Sequence, residues 1–145
     1  MAVRFSAQNI DFTLTRAEDV KQWISAVVKH NGMRVGNISY CFCDDEYLLG
    51  INQRYLNHNT YTDIITFDYV VTDMVSGDIM ISLERVGENA DKFGTTFEEE
   101  LHRVIIHGVL HLLGQGDKTE QEAAEMRLKE EESLALWNEM FHGEQ

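Results

Sequence analysis

Residues 107–117 read His-Gly-Val-Leu-His-Leu-Leu-Gly-Gln-Gly-Asp, and this stretch constrains the chain more than any other. His107 and His111 are four apart, a spacing that stacks both imidazoles on one face of a helix, one turn apart. Leu101, Val104, Ile105, Val109, Leu112 and Leu113 make that helix apolar around much of its circumference, so it is expected near the middle of the fold. Gly114 offers a left-handed stop, and the returning loop brings Asp117 back toward the histidines. Two imidazoles and one carboxylate leave a coordination position open, the layout of a catalytic metal centre rather than a closed structural site. His107, His111 and Asp117 are therefore expected to hold one divalent ion per chain. Zinc comes first, with manganese or magnesium as competitors because a carboxylate is a harder ligand than imidazole. A second reading of Asp117 stays open: a cap on the helix that begins near Thr119, with water as the third ligand.

The same spacing occurs in the metzincin peptidases, His-Glu-x-x-His-x-x-Gly-x-x-His, where the Glu is the general base. Gly108 stands at the Glu position, so the chain keeps a metal cradle without a proteolytic base. Two roles are equally open for Gly108. It keeps the helix turn slim for an approaching backbone phosphate, or it allows the helix to pack closely.

Capping boxes punctuate the chain at Thr15-x-x-Glu18, Thr96-x-x-Glu99 and Thr119-x-x-Glu122. The first opens a helix with Val20, Trp23, Ile24, Val27 and Val28 inward, ended at Asn31-Gly32. The second opens the histidine helix, with His102 turned away from the metal face. The third opens a long final helix with Met126, Leu134, Trp137 and Phe141 inward. Strands are expected at 3–7, 35–43, 62–71 and 78–83, the last two as antiparallel neighbours, with a loop over 73–77. Asp44 caps a helix through Tyr47, Leu48, Ile51 and Tyr55 that Asn57-His58-Asn59 breaks, and a short helix over 84–93 stops at Gly94. Four strands and about five helices in mixed order predict a single α+β domain over residues 1–145, a mixed four-stranded sheet packed with helices and a zincin-like central helix.

The net charge of −13 argues against broad nonspecific nucleic-acid binding, though not against a local basic groove. The acid run of the last third, Glu130 included, reads as a solvated face. Cys41 and Cys43 are expected as reduced strand residues, which with the absence of a long apolar run suggests a cytoplasmic protein without a membrane segment.

The chain resembles the YbeY family of metal-dependent endoribonucleases of rRNA maturation. The likeness rests on His107 to Gly114, on Thr62-Asp63-Ile64-Ile65-Thr66-Phe67, on Gly77-Asp78-Ile79 and on Asn52, in order from about residue 47 to 118. Two positions depart from the family: Asp117 stands where the third ligand is usually His, and Leu56 where an Arg usually faces the RNA. The resemblance implies a mixed sheet beside a central histidine helix and single-stranded RNA, not DNA, as substrate. It further implies a part in small-subunit rRNA end processing or ribosome quality control. Metal-bound water, or the RNA 2′-hydroxyl with metal assistance, is then the attacking group, and no side chain is assigned as base. Arg54, His58, Arg85, Lys92, Arg103 and Lys118 are candidates for phosphate contacts. Asp63, Asp68 and Asp78 read as strand-end caps. Two rival functions are a non-catalytic ribosome-assembly factor stapled by its metal and a metallopeptidase.

Overall fold

The computed structural model describes residues 2–58 and 60–141; Asn59, expected to help break the second helix, lies outside them. Nine elements follow one another: β1 (Val3–Gln8), α1 (Ala17–His30), β2 (Arg34–Cys43), α2 (Asp45–Leu56), β3 (Ile64–Asp68), β4 (Met74–Ser82), α3 (Leu83–Phe93), α4 (Phe97–Leu112) and α5 (Glu120–Met140). The sheet runs in the order β1-β2-β4-β3. The β1, β2 and β4 strands are parallel, and β3 closes one edge antiparallel to β4. The mixed α+β architecture expected from the sequence is the one observed. No helix among the described residues is long and apolar enough to cross a membrane.

Period-two alternation sends Ile38, Tyr40 and Phe42 of β2 and Val75, Ile79 and Ile81 of β4 to one face, all essentially without solvent exposure. There they meet α1 and α4, with α5 packed behind. The opposite face carries a smaller cluster, where Leu48 and Ile51 of α2 cover Cys43 and Ile65. The Tyr40 hydroxyl donates to the Ile105 carbonyl at 2.8 Å, tying the middle of α4 to the sheet. Trp23 donates from its indole to the Ser133 carbonyl at 2.7 Å, tying α1 to α5. His102 is buried between Trp23 and Trp137, with ring centroids at 5.6 and 4.4 Å, away from the other histidines as expected.

Two local features differ from the sequence-based expectation. The box at Thr15 does not form: Arg16 takes a left-handed conformation, φ 57°, as the residue before α1, and its Nε bonds Asp19 instead. Residues 74–77 are not a loop but the first half of β4, the strand paired on both sides. The turn is confined to Thr72-Asp73, closed by reciprocal bonds between Val71 and Met74. Gly77 belongs in that strand because a Cβ there would lie 2.8 Å from Leu112 Cδ2, so the bare backbone admits the end of α4. Of the two roles left open for Gly108, one is met. A Cβ there would lie 2.9 Å from Ile79 Cδ1 and 3.2 Å from Ile64 Cδ1. Gly108 faces the sheet, so its role is close packing and not access for a phosphate. Two glycines, one on each partner, thus seat the histidine helix directly on the sheet.

Candidate active site

The capping box of Thr96 and Glu99 starts α4 as the sequence predicts. With Gly108 turned to the sheet, Glu100, Arg103, His107 and His111 line one wall of a cleft of about 450 Å³. β3 and the segment before it supply Thr62, Asp63, Ile64 and Thr66; α3 supplies Asn89 and Phe93; α5 supplies Arg127 and Glu130.

Asp117 reaches the same cleft from the loop after α4. Gly114 makes the left-handed turn, φ 99°, and the Gln115 side chain pins the loop by donating to the Gly116 and Glu122 carbonyls at 3.0 and 3.2 Å. Gly116 does not take a positive φ, and its bare Cα lets the Glu122 carboxylate pack close, 2.7 Å from where a Cβ would stand. The α5 cap is Thr119, in a complete capping box with Glu122, so Asp117 is not that cap. Its Oδ2 instead lies 3.3 Å from Nε2 of His107.

The other nitrogen of His107, Nδ1, lies 2.7 Å from Oε2 of Glu130, whose side chain is only 9% exposed. An ionised carboxylate only accepts, so Nδ1 carries the proton and Nε2 presents its lone pair to the cleft whenever the ring is neutral. Glu130 is held in turn by Arg103, which donates to it at 2.9 Å and to Glu131 at 2.5 Å. Burial pushes the Glu130 carboxyl upward, but the bonds from His107 and Arg103 outweigh it and keep the group below the usual carboxylate range. Burial likewise pulls His107 down, and the Glu130 bond with the charges of Asp117 and Asp63 reverses this, leaving it above an ordinary histidine. Glu130 is therefore no part of a solvated face. The sequence shows only an acid-rich helix there, and both partners lie more than twenty positions away.

The structure draws His107 and Asp117 together and places His111 on the same wall. No three His, Cys, Asp or Glu side chains among the described residues form a ready ligand set. Two further carboxyls face the cleft. Burial raises Asp63, against the pull of His107, and burial raises Glu100, against that of Arg103. Asp63 accepts from Asn89 at 3.4 Å, so it is a cleft residue and not simply a strand cap. Of the expected phosphate contacts, Arg85 is committed to Asp45 and Arg103 to Glu130 and Glu131.

An oriented imidazole flanked by carboxyls and guanidinium groups in one open cleft is the arrangement of a hydrolytic centre acting on a polar substrate. The sequence profile of the family described as Endoribonuclease YbeY matches residues 3–138, and the chain belongs to that family. Endoribonuclease YbeY of Christiangramia forsetii is 52% identical over 143 residues, 99% of this chain and 96% of that protein. The protein of the same name from Porphyromonas gingivalis is 47% identical over 142 residues, 98% and 94% of the two chains. The solution structure of a Thermotoga maritima protein, 27% identical, superposes with a TM-score of 0.65 over 94% of this chain and 92% of that one.

Proposed function

We propose that this protein is a metal-dependent endoribonuclease that cuts single-stranded RNA, with rRNA at the small-subunit end as its substrate and ribosome quality control as its setting in the cytoplasm. The relatives carry the endoribonuclease name. The observation that carries the metal dependence is the 3.3 Å between His107 Nε2 and Asp117 Oδ2. A good N–H···O bond is shorter, about 2.7–3.2 Å. Two donors bound to one tetrahedral ion at about 2.0–2.2 Å stand roughly 3.3–3.5 Å apart. His107, His111 and Asp117 would hold the ion, zinc first by the nature of these donors. When bound, such an ion supplies Lewis acidity toward water and a phosphoryl oxygen.

The chain's own residues supply the orientation. Glu130 keeps the His107 proton on Nδ1 and its lone pair toward the cleft, and Arg103 fixes Glu130. Asp63 and Glu100 are the cleft carboxyls that burial raises above the usual carboxylate value, which makes them the candidates for moving a proton. The Glu position of a metzincin is filled by sheet side chains, which argues against peptidase chemistry. The test is cleavage of a labelled single-stranded RNA by wild type and His107→Ala, with and without chelator. The proposal expects cleavage by wild type alone, lost with chelator and restored by zinc. Chelator-resistant cleavage, or an active His107→Ala protein, would sink it.

A further inference from the structure

The geometry points to a clamp for one unpaired nucleotide across the cleft, in which Phe93 stacks on the base and Arg127 meets a phosphate of the same strand. This rests on the single-stranded RNA reading above and specifies how that substrate is held.

Phe93 is the last residue of α3 and lines the cleft, yet it is 55% exposed. Apart from the imidazoles of His107 and His111, it is the one aromatic ring among the described residues lining that cleft. Two of the other exposed rings are engaged: Tyr55 packs edge-on against Phe67, and the Tyr61 hydroxyl donates to Glu46 while Arg85 covers its face; the exposed rings of Tyr69 and Phe97 do not line the cleft. Phe93 meets no other ring among the described residues, only Lys92 Nζ at 5.7 Å from its centroid. A flat apolar face left in water beside a polar centre suits a base, because every base offers a π-face and stacking needs no particular sequence.

The cation follows from elimination within the cleft. The cleft is lined by Asp63, Glu100, Asp117 and Glu130, so a phosphodiester entering it needs compensation. Arg103 already spends its guanidinium on two carboxylates. Arg127 makes no hydrogen bond or ion pair among the described residues and feels the longer-range pull of Glu100. Both α3 and α5 pack on α4, so Phe93 and Arg127 reach the cleft from different neighbours of the histidine helix. A cleft of about 450 Å³ suits a small-molecule-sized group and not a duplex. A paired base has no free face for Phe93, so preference for single strands follows from this ring as well as from the acidic surface.

The test uses a labelled single-stranded oligoribonucleotide, its binding read by stopped flow before turnover, and the same oligonucleotide with one abasic nucleotide. Phe93→Ala should weaken binding of the intact strand about 5- to 150-fold, the loss of one stacked base. The loss should vanish on the matching abasic strand. Phe93→Trp should restore binding, and its new indole should be quenched by the intact strand and not by the abasic one. Arg127→Gln should lower the slope of log Kd against log salt by about 0.7. Wild-type affinity in Phe93→Ala, or an equal loss on both strands, would overturn the clamp while leaving the nuclease reading intact. Absence of RNA binding by wild type would overturn the nuclease reading, and the clamp with it.

Discussion

Replacing Gly108 by alanine isolates the contact that seats the histidine helix. The substitution has two opposing effects. Alanine favours a helix interior over glycine by about 0.8–1.0 kcal/mol. The new methyl, however, would lie 2.9 and 3.1 Å from two carbons of Ile79 and 3.2 Å from Ile64 Cδ1. Carbon atoms prefer about 3.5–4.0 Å. Ile79 is fully buried in the sheet and has no open space to retreat into. Overpacking of this kind costs about 1–3 kcal/mol, and three simultaneous overlaps place it in the upper half, so the net loss is about 1–2 kcal/mol. Gly50 in α2 is the control, since nothing lies within 4 Å of its Cβ position and propensity alone should stabilise Gly50→Ala by about 0.5–1 kcal/mol. Urea denaturation of the two variants, with m unchanged, should move the midpoints in opposite directions. A Gly108→Ala protein as stable as Gly50→Ala would refute the close seating of α4 on β4.

Glu130→Gln keeps the shape of the side chain but removes the charge that orients His107, and should weaken zinc binding about 10- to 100-fold, read by competition with a chelating dye; unchanged affinity would make Glu130 a purely structural partner of Arg103. Asp117→Asn should weaken zinc binding as well, and Asp117→His should not; equal affinities in all three proteins would remove Asp117 from the ligand set. Burial beside two tryptophans holds the His102 pKa below the ordinary value, so the unfolded chain binds that proton more readily than the folded one. Stability from the neutral ring is then complete above about pH 6.5 and falls as pH drops toward the folded-state pKa. His102→Gln should flatten the urea midpoint between about pH 7.5 and 5, and parallel curves for the two proteins would contradict this.

What the sequence discloses is local. The boxes at Thr96 and Thr119 are complete within four residues, and both form. The box at Thr15 has the same letters and fails because Arg16 finds Asp19, turns left-handed and starts the helix after itself. Ser76 and Gly77 carry turn propensity, yet lie in β4 because strands on both sides pair with Gly77, Tyr69 donates to the Ser76 carbonyl at 2.9 Å, and Leu112 occupies the space above Gly77. The direction of Gly108 depends on which side of α4 meets the sheet, which the apolar periodicity leaves ambiguous when so much of the circumference is apolar. That His107, His111 and Asp117 share one cleft is legible because their spacing is short-range. Glu130, Arg127 and Phe93 come from helices on other walls of the cleft, and only the fold brings them to it.

The proposed chemistry rests on His107, His111 and Asp117 holding one metal ion. The most direct measurement is the metal content of the purified, zinc-equilibrated protein by mass spectrometry, beside His107→Ala and His111→Ala proteins shown to be folded by circular dichroism. The account predicts about one ion per wild-type chain and close to none in either variant. Equal metal content in all three proteins, or none in wild type, would contradict it.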